Sequence, residues 1–154
     1  MSKIKKILIL CCGYPYQTDK RFGYEVWMEL EKVKLPDNVD LMEVGESASM
    51  IPSFIAEQDK LVIVDYFQTG EDAGTIVRLK LEEVPVTVNG LTDIAKSHLM
   101  DTLGHQKVIG QCPDEIIFIG VVPKDIVTES QKLTPVIANK VPEVVKLILK
   151  EIQE

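Results

Sequence analysis

The sequence predicts an α/β protein with three layers, α/β/α, around a mostly parallel, twisted sheet of about five strands. One indication is the run of residues 61–64, four apolar residues that end on Asp65 and are typical of a strand buried on both faces. A second is the alternation of apolar strands with helical patterns, which is typical of a parallel sheet covered by helices. A third is size, because 154 residues, 45% of them hydrophobic, can form one domain with its own core. We therefore assign residues 1–154 to a single domain.

Five segments are predicted as strands because they are short, apolar and rich in β-branched residues. Crossovers between parallel strands are right-handed, so the first strand is expected to lie between the second and the third. The fourth segment alternates in polarity, and an antiparallel edge position is one arrangement open to it. The predicted strands are residues 4–12, 39–44, 60–65, 75–81 and 115–122.

Four segments are predicted as helices from apolar residues that recur every three or four positions. Pro52 must lie in the first turn of the second helix to be tolerated, and Pro142 is expected to bend or split the fourth. Gly104 is expected to end the third helix as a C-cap. The predicted helices are residues 22–33, 47–56, 92–103 and 135–152, and residues 82–90 are predicted to be irregular.

Charge and cysteine content limit the class of protein. With 17 basic and 24 acidic residues the net charge is −7, which argues against nucleic-acid binding, since that needs a basic surface. No apolar run approaches the roughly 18 residues of a bilayer-spanning helix, so no membrane insertion is predicted. Residues 7–12 are too short for the apolar region of a secretory signal. The three cysteines, without a C-x-x-C spacing, fit a reducing compartment, and we expect a cytoplasmic protein.

Asp65 lies where ligands of open α/β sheets bind, beyond the carboxyl end of a central strand. The predicted strand order places the loop of residues 13–21 beside it. Asp19 in that loop, Glu43 at the end of the second strand and His98 near the third helix could converge with Asp65 as metal ligands. Each also has a structural interpretation: Asp19 as a charge at a helix N-terminus, Glu43 as a surface residue and His98 as a helix-end residue. The residue pattern alone leaves both interpretations open.

Other chemistries find less support. The turn C-C-G-Y-P at residues 11–15 has neither the G-x-G-x-x-G spacing nor the terminal Lys-Ser/Thr of a P-loop, so a nucleotide site is disfavoured. Cys11 or Cys12 could be a nucleophile with His98 or His105 as its base. Strand alternation, however, turns the two thiols to opposite faces, and inert packing is the favoured interpretation. A small-molecule hydrolase ranks last because no G-x-S-x-G elbow is present.

Several segments, in the same order and at similar spacing, resemble the nickel–iron hydrogenase maturation proteases, which trim the C-terminal tail of a hydrogenase large subunit. The resemblance spans nearly the whole chain. The segments are the first strand leading to Gly13, Thr18-Asp19-x-x-Phe22-Gly23, the apolar strand ending in Asp65, Ser97-His98-Leu99, Ile119-Gly120-Val121-Val122-Pro123-Lys124, and Leu133-Thr134-Pro135.

The resemblance implies a cleft that binds nickel, or a surrogate divalent ion, through an acid in the first loop, the aspartate that ends the third strand, and a histidine. Asp65 and His98 match the last two positions. The family's loop acid directly follows the loop aspartate, where this chain has Lys20, so Asp19 is the candidate substitute. Glu43 corresponds to the acid that ends the family's second strand.

The resemblance assigns Glu43, Gly13 and Lys20 to substrate recognition or support of the site, and it leaves the catalytic residues unassigned. Three arrangements are open at Lys20. Asp19 supplies the carboxylate; or two ligands, with water and a ligand from the substrate, hold the metal more weakly; or Lys20 pairs with Asp65 in a non-catalytic relative. The first two are preferred together, because Asp65 and His98 are both present.

The resemblance thus implies an endopeptidase that removes the C-terminal tail of a nickel–iron hydrogenase large-subunit precursor after nickel insertion. The expected metal is nickel borne by the substrate or a surrogate divalent ion, with none bound in the isolated protein as the other option. The alternative function is an accessory, chaperone-like protein that binds the large subunit without cutting it.

Overall fold

Five strands form one sheet in the order β2-β1-β3-β5-β4. The computed structural model describes residues 4–44, 51–83 and 94–153, without the side chains of residues 51 and 94–98. The first four strands in this order are parallel to one another, and the last is antiparallel to its neighbour. The strands are β1 (Ile7–Cys11), β2 (Val39–Glu43), β3 (Lys60–Tyr66), β4 (Ile76–Lys80) and β5 (Glu115–Val121).

The strand predictions are confirmed, including the place of β1 between β2 and β3 and the antiparallel edge strand β4. Strand bounds differ from the predicted ones by up to three residues, because the ends of apolar runs extend beyond the hydrogen-bonded ladder.

Helices cover both faces of the sheet and complete the predicted three layers. One face carries α1, α4 and α5, and the other carries α2 and α3. Within the described ranges, no helix has the combination of length and apolar character needed to span a membrane. The helices are α1 (Phe22–Glu31), α2 (Ile51–Ile55), α3 (Ile94–Val108), α4 (Pro135–Ala138) and α5 (Val141–Glu151).

Proline and glycine residues determine where several helices begin or end. Two of the three predictions about them are confirmed, and one is wrong. Pro142 lies in the first turn of α5, so the predicted fourth helix is split, and Pro52 lies in the first turn of α2. The prediction that Gly104 ends α3 is wrong. The helix continues to Val108, and the left-handed residue that closes it is Gly110, with φ of +74°. The predicted helical residues 47–50, 92 and 93, and the irregular residues 84–90, lie outside the described residues.

Strand β1 shows how the sequence builds the layers. Ile7, Ile9 and Cys11 pack against the α1, α4 and α5 face, whereas Leu8 and Leu10 pack against the α2 and α3 face. All five side chains are at most 1% exposed. Each large apolar side chain buried in this way contributes roughly 2 kcal/mol, so the near-continuous apolar run belongs to a strand buried on both sides.

Candidate functional site

The carboxyl ends of the parallel strands meet at one edge of the sheet, and two acids lie there. The register pairs Glu43 of β2 with Cys11 of β1, and Cys11 with Val64 of β3, one residue before Asp65. The Asp65 side chain is buried. Burial raises the pKa of the Cys11 thiol, and the negative charges of Asp65 and Glu43 raise it further. Both carboxylates therefore act on the same end of β1.

The backbone around Asp65 is fixed by close packing. Its Oδ1 accepts a hydrogen bond from the backbone N of Tyr66 at 2.8 Å. Gly120 of β5 lies opposite Asp65, and a Cβ there would come within 1.8 Å of the Asp65 carbonyl oxygen and 2.7 Å of Phe67 Cε2. Only glycine permits this approach. Asp65 is thus held in one position by two strands rather than by a loop.

The loop after β1 folds back onto the strand ends and carries Lys20. The backbone N of Tyr14 donates to the carbonyl oxygen of Lys20 at 2.9 Å, which closes the loop. Gly13 lies at its base, where a Cβ would come within 2.7 Å of the Tyr24 backbone N and 3.4 Å of the Lys20 carbonyl oxygen. No larger residue fits the closed loop at position 13. This close packing is how Gly13 could fill the support role that the sequence predicts for it.

Helix α1 starts directly against the strand ends and so places the loop. A Cβ on Gly23 would come within 1.8 Å of the Cys12 carbonyl oxygen and 2.9 Å of the Val64 carbonyl oxygen. The turn Thr18–Arg21, a 3-10 helix, runs without a break into this first helical turn. Lys20 therefore lies in the segment that covers the ends of β1 and β3, the edge where Asp65 is located.

Asp19 is completely buried and bound by the segment that follows β5. Its Oδ2 accepts hydrogen bonds from the backbone N of Lys124 and of Asp125, both at 2.9 Å. Thr134 donates from its backbone N to Oδ1 and from Oγ1 to both oxygens, each at 2.9 Å. Four donors match the roughly four lone-pair positions of a carboxylate. The metal-ligand role given to Asp19 stays a prediction, and it would require Asp19 to give up part of this network.

Thr134 is a residue of this region that sequence reasoning missed as a hydrogen-bonding partner. It is the N-cap of α4 and precedes Pro135, yet its Oγ1 bonds Asp19 instead of capping the helix backbone. A threonine before a proline at a helix start is typical of an N-cap. The sequence does not indicate that its hydroxyl bonds to an acceptor 115 residues away, because only the folded chain brings the two residues together.

His98 lies in α3. Its side chain is outside the part of the chain that the structure describes, so its convergence with Asp65 stays a prediction. Helix α3 packs on the sheet face that α2 also covers, through Leu99 and Leu103.

The described residues do not test the expected metal site, because the side chain of His98 is not among them. Among them, no three His, Cys, Asp or Glu side chains converge as a metal site requires. Cys11 is fully buried, and burial together with the nearby carboxylates raises the pKa of its thiol, which disfavours the thiolate that a nucleophile or a metal ligand needs. Cys12 packs partly buried against the other face, as alternation predicts.

The fold and the edge define a class: three-layer α/β proteins with a buried carboxylate at the carboxyl ends of parallel strands, under a loop that leads into a helix. Comparisons narrow this class. A family model described as "HycI: Hydrogenase maturation protease" matches residues 24–151, a region that begins just after the loop carrying Lys20. This chain belongs to the hydrogenase maturation protease family.

Individual relatives agree with the family model. The chain is 31% identical over 158 residues, covering 99% of both chains, to a Methanocaldococcus jannaschii protein whose name provisionally assigns it to the hydrogenase maturation proteases. It is 26% identical over 151 residues to the hydrogenase 2 maturation protease of Escherichia coli, covering 97% of this chain and 92% of that one. The structure of the E. coli hydrogenase maturating endopeptidase HybD superposes with a TM-score of 0.88 at 25% identity, covering 96% of this chain and 92% of that one.

Proposed function

We propose that this protein is a cytoplasmic endopeptidase that removes the C-terminal tail of a nickel–iron hydrogenase large-subunit precursor after nickel insertion. Family membership supports the reaction class. The observation that carries the proposal is the position of Asp65, a buried carboxylate held by β3 and β5 at the strand edge, with Glu43 at the same edge. Ligands of open α/β sheets bind beyond the carboxyl ends of the strands, so a carboxylate placed there can orient a substrate.

In this proposal the nickel ion is bound to the substrate precursor and not to the free protein. In the loop after β1, Lys20 stands where the family resemblance implies an acidic ligand, so this chain offers one carboxylate fewer to a free divalent cation. A nickel centre already held by the precursor's own ligands needs fewer contacts from the protein. Asp65 and, as the sequence predicts, His98 would recognise it, because carboxylate and imidazole are nickel ligands. A nickel-loaded precursor is then distinguished from an empty one.

The decisive experiment mixes the purified protein with nickel-loaded and nickel-free large-subunit precursor and follows tail removal by mass spectrometry. We expect cleavage of the loaded precursor only. Asp65→Asn should lower kcat/KM at least about 100-fold, since it removes the charge at the edge. His98→Ala should also abolish cleavage. Asp40→Asn, an exposed acid on β2, is the matched control and should cleave normally. An intact tail on a competent, loaded precursor would refute the protease assignment.

Lys20 favours a second candidate function, an accessory protein that binds the large subunit without cutting it. At position 20 this chain has a lysine, whereas the family resemblance implies an acid at that position. The accessory function predicts a stable complex with the precursor, no cleavage, and the same affinity for loaded and empty precursor. Tail removal in the experiment above would exclude it.

A further inference from the structure

We propose that a groove beside the strand edge binds an extended, non-acidic stretch of the large-subunit precursor and thereby selects the substrate. We call it the tyrosine groove. It has a volume of about 360 Å³ and is lined by Tyr14, Tyr16, Gln17, Glu129, Ser130 and Gln131. The identity of the partner rests on the proposed function, whereas the groove itself rests on the geometry below.

The tyrosine groove lies between the segments that follow β1 and β5, the two strands that flank β3 in the sheet. One wall is the loop after β1, and the other is the segment after β5. In the sheet, β3 lies between β1 and β5, and Asp65 is near its carboxyl end. A chain bound between the two walls would therefore run past the strand that holds the proposed recognition residue.

The two walls are joined before any substrate binds. Gln17 and Ser130 form a parallel β-bridge, in which the Thr18 N donates to the Ser130 carbonyl oxygen at 3.0 Å and the Ser130 N donates to the Tyr16 carbonyl oxygen at 3.1 Å. Below the bridge, the buried carboxylate of Asp19 holds the same two segments together. A groove built in advance binds its ligand with less loss of conformational entropy.

Backbone strain at the bridge supports a functional role. Thr18 has φ of +38°, a conformation that β-branched residues rarely adopt. Its Oγ1 donates to the Lys132 carbonyl oxygen at 2.9 Å, which helps to hold it there. Strained conformations that the surroundings over-determine are concentrated at binding and active sites.

The lining has the chemistry of a polypeptide site. Tyr14 and Tyr16 are 45% and 54% exposed, with ring centroids 5.5 Å apart in an edge-to-face arrangement. Tyrosines packed in this way offer rigid apolar faces with a polar tip, which is typical of protein-binding surfaces. The amides of Gln17 and Gln131 can donate to and accept from a peptide backbone. Among the described residues that line the groove, Glu129 alone is charged, so the groove disfavours acidic segments.

The test measures binding and cleavage separately with the double variant Tyr14→Ala/Tyr16→Ala. Both side chains are exposed, so folding should be unaffected. We expect affinity for the loaded precursor to fall about tenfold and KM to rise to match, with kcat unchanged, as for the loss of interface anchors. Phe54→Ala is the matched control, since Phe54 is an aromatic residue, 40% exposed, on α2 and outside the groove; it should behave like the wild type.

A second measurement places a photo-crosslinking amino acid at position 16 and, as control, at position 54. We expect a crosslink to the precursor from position 16 only. Cleavage by the wild type with unchanged KM and affinity in the double variant would refute the groove but not the protease. Binding without cleavage, lost in the double variant, would support the groove and refute the protease. Absence of both binding and cleavage in the wild type would refute both.

Discussion

Asp19 and Lys20 are adjacent in the chain but have different environments. Asp19 is 0% exposed and bonded to four donors, whereas Lys20 is partly exposed in the loop over the strand edge. In the family pattern an acid directly follows the loop aspartate, so these two positions form one acidic pair. The structure separates them: the carboxylate of Asp19 anchors the loop to the segment after β5, whereas Lys20 is partly exposed in the loop.

Replacing Asp19 by asparagine should lower the free energy of unfolding by about 2–3 kcal/mol. The amide keeps one acceptor oxygen but sets an NH₂ group against the donors from residues 124, 125 and 134. Denaturant unfolding followed by circular dichroism measures the change, with Asp40→Asn, an exposed aspartate, as control. Equal midpoints for Asp19→Asn and the wild type would contradict the anchoring role.

Replacing Lys20 by glutamate should strengthen binding of a divalent cation. The change exchanges an ammonium for an oxygen ligand in the loop after β1, at the position where the family resemblance implies an acid, and affinity for Ni²⁺ or Zn²⁺ should rise at least about tenfold over the wild type. Isothermal titration calorimetry on the isolated protein measures this. Lys20→Gln separates loss of the positive charge from gain of a ligand and should give the smaller effect. Wild-type binding as tight as that of Lys20→Glu would show that Lys20 does not oppose the cation.

Among the strands and helices, β5 helps to position Asp65 because Gly120 has no side chain. The carbonyl group of Asp65 on β3 lies so close to Gly120 that a Cβ at position 120 would collide with it. The sequence shows a glycine inside an apolar strand, a signal of close backbone approach, but not which backbone approaches. Helix α1 uses Gly23 in the same way at the ends of β1 and β3.

Gly120→Ala should destabilise the protein by several kcal/mol or prevent folding, because the added methyl group meets backbone rather than a movable side chain. Gly104→Ala is the matched control. It lies within α3 with nothing within 4 Å of an added Cβ, and it should stabilise the protein by up to about 1 kcal/mol. Thermal unfolding of both variants tests the contrast; a Gly120→Ala protein as stable as the wild type would contradict the close approach.

At the scale of the whole molecule, the edge opposite the site is held by a buried ionic network. Lys60 Nζ donates to the Glu151 carbonyl oxygen at 2.9 Å and to its Oε2 at 2.7 Å, and Arg78 Nε donates to Oε1 at 2.6 Å. Lys60 also lies 3.4 Å from Glu115 Oε2. The network joins β3, β4 and β5 to the end of α5. The network thus fixes the amino ends of β3 and β5, at the edge of the sheet opposite Asp65.

The protein should lose stability in acid through Glu151. Burial alone would raise the pKa of this carboxyl, but the hydrogen bonds and charges of Arg78 and Lys60 outweigh it and lower the pKa below 4.5. Because the pKa is lower in the folded state than in the unfolded one, the stabilisation is present above the unfolded value of 4.5 and is lost as pH falls through the folded value.

Glu151→Gln should therefore be less stable at neutral pH, by about 3 kcal/mol since Lys60 is left buried without its full partner, and its stability should fall less steeply in acid. Urea midpoints across pH measure both effects. Glu143→Gln, whose side chain is 57% exposed and pairs with Lys140, is the control and should follow the wild type. Parallel pH curves for the wild type and Glu151→Gln would contradict the assignment.

The sequence by itself determined the three layers, the place of β1 between β2 and β3, and the position of Asp65 at a strand end, because apolar period and the handedness of crossovers are local or chiral properties of the chain. It also showed the departure at Lys20. Only the tertiary structure decided that Asp19 faces Thr134 and its neighbours, that α3 passes Gly104, and that two distant loops form the tyrosine groove. The Asp19 contacts and the tyrosine groove depend on which residues meet across more than a hundred positions, and local patterning carries no information about such partners. At Gly104 the local signal is ambiguous, because a glycine inside a helix costs only about 1 kcal/mol relative to alanine.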